Sequence, residues 1–296
     1  MTKFIYDQFA KDYLKELLTP LGEVETSRDV PGEVREIDVW FTPYPAEQRG
    51  DAQVLGLLGR FASTPSIFEP FRNAVNPNQI RSCISKLFDV HANLLRQSQR
   101  ENNRVGETDL PWLWILSPTV SRAILNGFKA EADENNWLPG VYFLPEYLKT
   151  GIVVIHQLPR TPETLWLRLL GKGNVQKQAI NEIGELSPNH PLRSNALLLL
   201  ANLRATIQAS QNIDREEQEL IMELSPLLLK WREEALQEGL RTERRTMIEN
   251  FLRAKFGVLD EELSGIIEPL LELPSEEFAV LLLQLSREEL LARFRG

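Results

Sequence analysis

The chain has 296 residues, of which 43% are hydrophobic and 25% are charged, and this composition is typical of a globular protein. No apolar run reaches the roughly 20 residues that a bilayer-spanning helix needs, so we expect a cytoplasmic protein that does not associate with membranes. The net charge is −9, and residues 214–296, with 11 Lys/Arg and 19 Asp/Glu, carry −8 of it, which excludes this part as a surface for phosphate backbones.

The first predicted element is an amphipathic helix at residues 3–18. Phe9, Tyr13 and Leu17 recur at helical spacing, and a Thr-Pro-Leu-Gly sequence ends the pattern after Leu18. Residues 23–30 alternate weakly and predict a first strand, which a Pro-Gly turn separates from the next element.

The second predicted strand, residues 35–41, has two carboxylates on one face. Successive side chains of a strand point to opposite faces, so Glu36, Asp38 and Trp40 share one side and the apolar residues share the other. An unpaired buried charge is costly. The two acids must therefore face water, a basic partner or a metal, and a solvated edge strand remains an equally simple interpretation.

Residues 53–61 form a short run that is apolar on both faces, and we predict a buried central strand there. The remaining elements of the first half follow from similar patterns. We predict helices at 66–73, 77–98 and 119–128 and strands at 110–116, 140–144 and 152–155.

From Thr161 onward the periodicity is helical throughout, which predicts four parts of the chain. They are a core at 1–160, a helical extension packed on it at 161–225, a long connecting helix at 226–256 and a small helical domain at 257–296. The middle of the long helix is almost free of apolar residues, whereas the last part is too apolar for its size. We therefore expect residues 226–296 to mediate association with a second copy or with a partner.

Common catalytic motifs are absent from the sequence. There is no phosphate-binding glycine loop, no histidine pair at metal-ligand spacing and no Gly-x-Ser-x-Gly turn. The single cysteine, Cys83, excludes an internal disulfide and a cysteine-based zinc site. His91 lies on the apolar face of a predicted helix and is interpreted as a packed residue, while His156 at a strand end is a weak site candidate.

The order helix, strand, strand with an acid, strand, helix, strand resembles the PD-(D/E)XK nuclease superfamily. The stretches 252–263 and 285–290 resemble the small domain of unknown function that ends many Rpn-type, transposase-like proteins. Over its full length the chain is similar to cyanobacterial proteins of that group, some of which are labelled flagellar assembly proteins. The resemblance implies a mixed α/β sheet core followed by an all-α C-terminal part.

In that superfamily, an acid on the second strand and an acid two residues before a lysine on the third strand hold a divalent metal, which suits Mg²⁺. Asp38 matches the first acid, and Glu36 is a second metal ligand candidate from the same face. If Leu58-Gly59-Arg60 is the aligned triplet, the second acid is replaced by leucine and the lysine by Arg60, which can still steady a phosphate.

An alternative triplet keeps an acid. Asp51-Ala52-Gln53 places Asp51 as the metal ligand and Gln53 in the lysine position. Asp7 or Glu16 would supply the acid that the first helix contributes in some superfamily members.

Three functions follow from these alternatives. The first is a degenerate nuclease-like protein, catalytically weak or inactive, that acts as a nucleic-acid-associated or adaptor protein. The second is an active Mg²⁺-dependent DNA endonuclease of a mobile element, which uses Asp38 and Asp51 and contacts DNA through the N-terminal core. The third is an oligomeric scaffold unrelated to nucleic acid.

Overall fold

The computed structural model describes residues 2–29, 36–102 and 105–294. Packing divides the chain into two units, Met1–Leu228 and Leu229–Gly296. Among the described residues, no helix combines the length and the apolar character needed to cross a membrane. Position 35, where the predicted second strand begins, lies outside the described residues.

The first unit contains a seven-stranded mixed sheet. Its strands are β1 (Gly22–Asp29), β2 (Glu36–Pro43), β3 (Ser66–Pro70), β4 (Trp112–Ser117), β5 (Glu131–Ala132), β6 (Val141–Phe143) and β7 (Thr150–Val154). The spatial order is β1-β2-β3-β4-β7-β6-β5. The first three strands form an antiparallel meander, β4 is parallel to both β3 and β7, and β6 and β5 continue antiparallel.

In the described part of this unit, seven α-helices precede the long one. They are α1 (Thr2–Leu18), α2 (Leu57–Phe61), α3 (Pro77–Arg100), α4 (Arg122–Gly127), α5 (Leu165–Arg168), α6 (Asn174–Glu185) and α7 (Arg193–Ala209). Their arrangement confirms the predicted α/β class with a helical C-terminal part, and from Thr161 onward the described residues contain helices and no strand.

The remaining helices are α8 (Arg215–Phe256), α9 (Glu261–Gly265), α10 (Ile267–Leu271), α11 (Ser275–Gln284) and α12 (Arg287–Phe294). The long helix predicted at 226–256 begins earlier, at Arg215, and the resulting helix α8 contains Pro226. In the second unit, Ile248 and Leu252 on α8 pack with Leu263, Leu270 and Leu290 into a separate apolar core.

Two predictions for the first unit are wrong. Residues 53–61 form a 3-10 turn and the short helix α2, and residues 66–70 form the third strand, where a helix was predicted. Within residues 53–61, Gly56 has a φ of +53°, which an extended strand does not have, and a β carbon there would lie 2.3 Å from the carbonyl oxygen of Glu163. An apolar run on both faces thus reflects a buried helical turn here.

Helix α1 is fixed to the later helices of the unit. The buried hydroxyl of Tyr13 donates a 2.9 Å hydrogen bond to the carbonyl oxygen of Trp166, and the indole of Trp166 donates one to the carbonyl oxygen of Val54. At the far end of α1, Glu16 accepts a hydrogen bond from Asn195 on α7. These contacts hold the helical extension on the sheet domain.

Candidate functional site

A polar cleft of about 300 Å³ opens at the end of β3, between the sheet and helices α1 and α3. Acidic and basic side chains face each other across it, which is unusual for a cleft whose floor is an apolar sheet. The charged lining residues are Asp7, Asp38, Glu69, Arg72 and Lys86.

Asp38 and Glu69 come together because of the register between β2 and β3. Val39 pairs with Phe68 and Trp40 with Ile67, so one further step places Asp38 opposite Glu69. Directly opposed residues of an antiparallel pair point to the same face. The two carboxylates therefore share one side of the sheet, the side that α3 covers.

The Glu69 side chain is almost fully buried and forms an ion pair with Lys86. The distance from Lys86 Nζ to Glu69 Oε1 is 2.5 Å, and the same ammonium donates a 2.9 Å hydrogen bond to the carbonyl oxygen of Glu36. The thiol of Cys83 lies 3.8 Å from the other carboxylate oxygen. Lys86 thus ties α3 to both β2 and β3.

The environment of Glu69 raises the pKa of its carboxyl group. Burial raises its pKa to about 7, and the negative charge of Asp38 adds to this rise, which Lys86 opposes without cancelling. Burial also raises the pKa of the Cys83 thiol, so this cysteine is an inert packed residue and not a nucleophile.

Asp38 has its own basic partner on α1. Lys11 Nζ lies 2.9 Å from Asp38 Oδ1 and also donates to Ser27 Oγ. Burial lowers the pKa of Lys11, but the hydrogen bond and the charge of Asp38 outweigh burial and leave the pKa above its usual value. Asp7, one turn earlier on α1, lines the same cleft.

A second charged network borders the cleft. The Arg72 guanidinium donates to Glu216 Oε1 at 2.7 Å and to the carbonyl oxygen of Gly171, and it lies over the ring of Tyr6. Lys172 pairs with the other oxygen of Glu216 at 2.9 Å. Two cations are thus held beside the end of β3.

The structure separates the residues that the sequence analysis grouped with Asp38. Glu36 lies at the exposed start of β2 and contributes its carbonyl oxygen to Lys86, while its side chain does not line the cleft. Asp51 caps the 3-10 turn through a 2.8 Å bond from the Gln53 backbone N–H, and both residues are exposed. Arg60 lies on α2 and stacks on Trp137.

Neither triplet suggested for the third strand therefore lies on a strand. The strand beside β2 supplies Glu69, and α3 supplies Lys86, both of which the sequence analysis missed. A local signal for Glu69 exists, because one acid interrupts the apolar run Ile67-Phe68 directly before Pro70. Lys86 gives a weaker signal, since it lies between Cys83 and Leu87 on the buried face of its helix.

The donor set suits a divalent cation that needs few protein ligands. Within the described residues, no group of three or more His, Cys, Asp or Glu side chains is arranged to hold a metal. Mg²⁺ is usually held by one or two carboxylates and completes its shell with water and substrate oxygens. Asp38 and Glu69 are two carboxylates on one face of the sheet in this cleft, and each is paired with a lysine.

Comparison of the chain with protein-family models, with curated protein sequences and with solved structures gives no match.

Proposed function

We propose that the chain is a Mg²⁺-dependent nuclease of the PD-(D/E)XK type, with Asp38, Glu69 and Lys86 as its site. The observation that carries the proposal is the pair of opposed carboxylates on β2 and β3 with a lysine ammonium 2.5 Å from one of them. The order of α1, the β1–β3 meander, α3 and a parallel β4 agrees with the fold that the resemblance implies.

Each residue has a distinct role in this proposal. Asp38 and Glu69 would hold the cation, and Lys86 would place positive charge beside the phosphate under attack. When bound, Mg²⁺ would polarise the phosphodiester and favour ionisation of a nucleophilic water. Arg72, at the rim of the cleft, would contact a neighbouring phosphate of the substrate backbone.

The lysine departs from the usual motif. The residue two positions after Glu69 is Phe71, just beyond the end of β3 at Pro70, so the cation comes from α3 and not from β3. Geometry and not sequence spacing defines a catalytic group. Leu58 and Arg60, which suggested a degenerate site, lie on α2 and not on the strand beside β2.

A nucleic-acid-associated or adaptor protein without cleavage is the second candidate. It is supported by the ion pairs Lys11–Asp38 and Lys86–Glu69, because both acids already have a cation within 3 Å. In this alternative the four residues stabilise the junction of the sheet with α1 and α3, and their charges are neutralised within the fold.

A cleavage assay distinguishes the nuclease from the adaptor protein without cleavage. Wild-type protein and the variants Asp38→Asn, Glu69→Gln and Lys86→Met are incubated with supercoiled and single-stranded DNA, with Mg²⁺, Mn²⁺ or EDTA. The control is Asp51→Asn, because that exposed acid lies outside the cleft. Circular dichroism verifies that each variant is folded.

Metal-dependent cleavage that is lost in Asp38→Asn and retained in Asp51→Asn supports the nuclease. If wild type shows no metal-dependent cleavage, or if folded Asp38→Asn cleaves as fast as wild type, the nuclease proposal is wrong.

A further inference from the structure

A second cavity, of about 740 Å³, lies on the opposite face of the sheet from the cleft. On β4, Trp114 pairs with Phe68, whereas Ile115 pairs with Glu69, and neighbouring residues point to opposite faces. The volume is within the range of small-molecule sites. The cavity is thus separate from the proposed nuclease site in both place and lining.

The walls of this second cavity, the aromatic cavity, are formed by aromatic rings. The Phe61 and Trp114 rings stack with centroids 3.9 Å apart, while Trp112 and Phe143 meet edge to face at 6.0 Å. Trp137 closes one side, 5.1 Å from Phe143. Trp112, Phe143 and Trp137 remain partly exposed, so their surfaces are accessible to a ligand.

The backbone is shaped around these rings. Gly151 on β7 pairs with Trp114, and a β carbon at Gly151 would lie 2.3 Å from the six-membered ring of that indole. The absence of a side chain there lets the indole lie flat on the sheet. The floor of the cavity is therefore shaped by the absence of a side chain at Gly151 and by the stacking of Phe61 on Trp114.

The rings already attract cations of the same chain. The Arg60 guanidinium lies 3.5 Å from the centroid of Trp137, and Lys149 Nζ lies 5.6 Å from that of Trp112. Such contacts are favoured because the face of an aromatic ring is negative. Arg60 also donates a hydrogen bond to the carbonyl oxygen of Asn136, which holds its guanidinium group at the wall of the cavity.

The rim of the cavity is net acidic. Glu131, Asp133 and Glu146 line it together with the cations Arg60 and Lys129. An anion such as a nucleotide would meet this excess of carboxylates. A positively charged ring would instead gain both from the ring faces and from the rim.

We propose that the aromatic cavity is a binding site for a planar organic cation of low molecular weight. The aromatic walls would sandwich the ring of the ligand, and the carboxylates of Glu131 and Glu146 would lie near its charge. This inference is independent of the proposed nuclease activity.

Three probes with one ring system and different charges test the proposal. N-methylquinolinium carries a positive charge, quinoline is neutral at neutral pH, and quinaldate is negative. Binding to the full chain is measured by isothermal titration calorimetry and by quenching of tryptophan fluorescence. We expect N-methylquinolinium to bind most tightly, quinoline less tightly and quinaldate least tightly.

Variants locate the binding. Ala132→Trp, at an exposed lining position on β5, is expected to fill the cavity and abolish binding. Glu146→Gln is expected to lower the affinity for N-methylquinolinium by about two- to fivefold and to leave the affinity for quinoline unchanged. Glu134→Gln is the control, because this exposed acid is outside the lining.

Absence of N-methylquinolinium binding, or binding that folded Ala132→Trp retains, overturns the proposal. Tighter binding of quinaldate than of N-methylquinolinium overturns the assignment of a cationic ligand.

Discussion

Lys86 and Glu69 form an ion pair inside the junction of α3 with the sheet, with only 10% and 3% of their side chains exposed. Removal of one member of such a pair leaves an uncompensated buried charge and typically costs about 3–5 kcal/mol, whereas replacement of both is much less costly. The same two residues therefore stabilise the fold and line the cleft.

The first prediction concerns this pair. We expect Lys86→Met to lower the free energy of unfolding by about 3–5 kcal/mol. The double variant Glu69→Gln/Lys86→Met should lose less unfolding free energy than the two single variants lose together. Urea unfolding of the four proteins measures the coupling. As a control, Lys177→Met breaks the more exposed pair with Glu219 and should cost much less than Lys86→Met. Additive losses would show that the pair is not coupled.

The second prediction is a pH dependence of stability. Because the pKa of Glu69 is raised from 4.5 to about 7 in the folded protein, the folded state binds a proton more tightly than the unfolded state. Its contribution to stability is complete below pH 4.5 and is lost as the pH rises to about 7.

In that window we expect the unfolding free energy of wild type to fall more steeply with pH than that of Glu69→Gln. The two proteins are compared by urea titrations at several pH values. Parallel pH profiles would show that Glu69 does not titrate in this range.

The third prediction follows from the competition between lysine and metal for Asp38. Lys11→Met removes the ammonium that lies 2.9 Å from the carboxylate. We expect the affinity for Mn²⁺ to rise by about 1 kcal/mol, roughly fivefold, because one competing cation is gone. Calorimetric titration with Mn²⁺ measures this affinity. The control is Lys15→Met, which replaces an exposed lysine of the same helix. Unchanged or weaker binding would argue that Asp38 is not a metal ligand.

The fourth prediction tests association through the second unit. Leu240 and Met247 on α8 are 58% and 55% exposed, and burial of such apolar side chains against another chain would stabilise an assembly. We expect light scattering of the full chain to show more than one copy per particle, and Leu240→Glu/Met247→Glu to reduce it to one. Leu198→Glu on α7, at a position with 52% exposure, is the matched control. A monomeric wild type would contradict the prediction.

Helical periodicity predicted the long elements well, because burial on one side of a helix leaves a pattern in the local sequence. The helices predicted at 3–18 and 77–98 are found at Thr2–Leu18 and Pro77–Arg100. The strands near 110–116 and 152–155 are also present with small shifts of their ends.

The cleft was harder to predict, since its residues meet only through tertiary structure. The third strand has five residues, and its buried acid is compensated by a lysine 17 positions further along, on another element. Nothing in the sequence near Glu69 shows that pairing. Asp38 was identifiable because its own strand alternates. The residue opposite Asp38 is instead set by the pairing of β2 with β3, two strands that lie more than 20 residues apart in the chain.

The hydrogen bond from Tyr13 to Trp166 joins residues that are 153 positions apart. Helix α1, which carries Lys11 and Asp7, contacts the early strands β1 and β2 as well as the later helix α7. During biosynthesis the strand contacts can form first, whereas the contacts with α5 and α7 have to wait until those helices are synthesised. The packing of the helix that carries Asp7 is therefore completed late in translation.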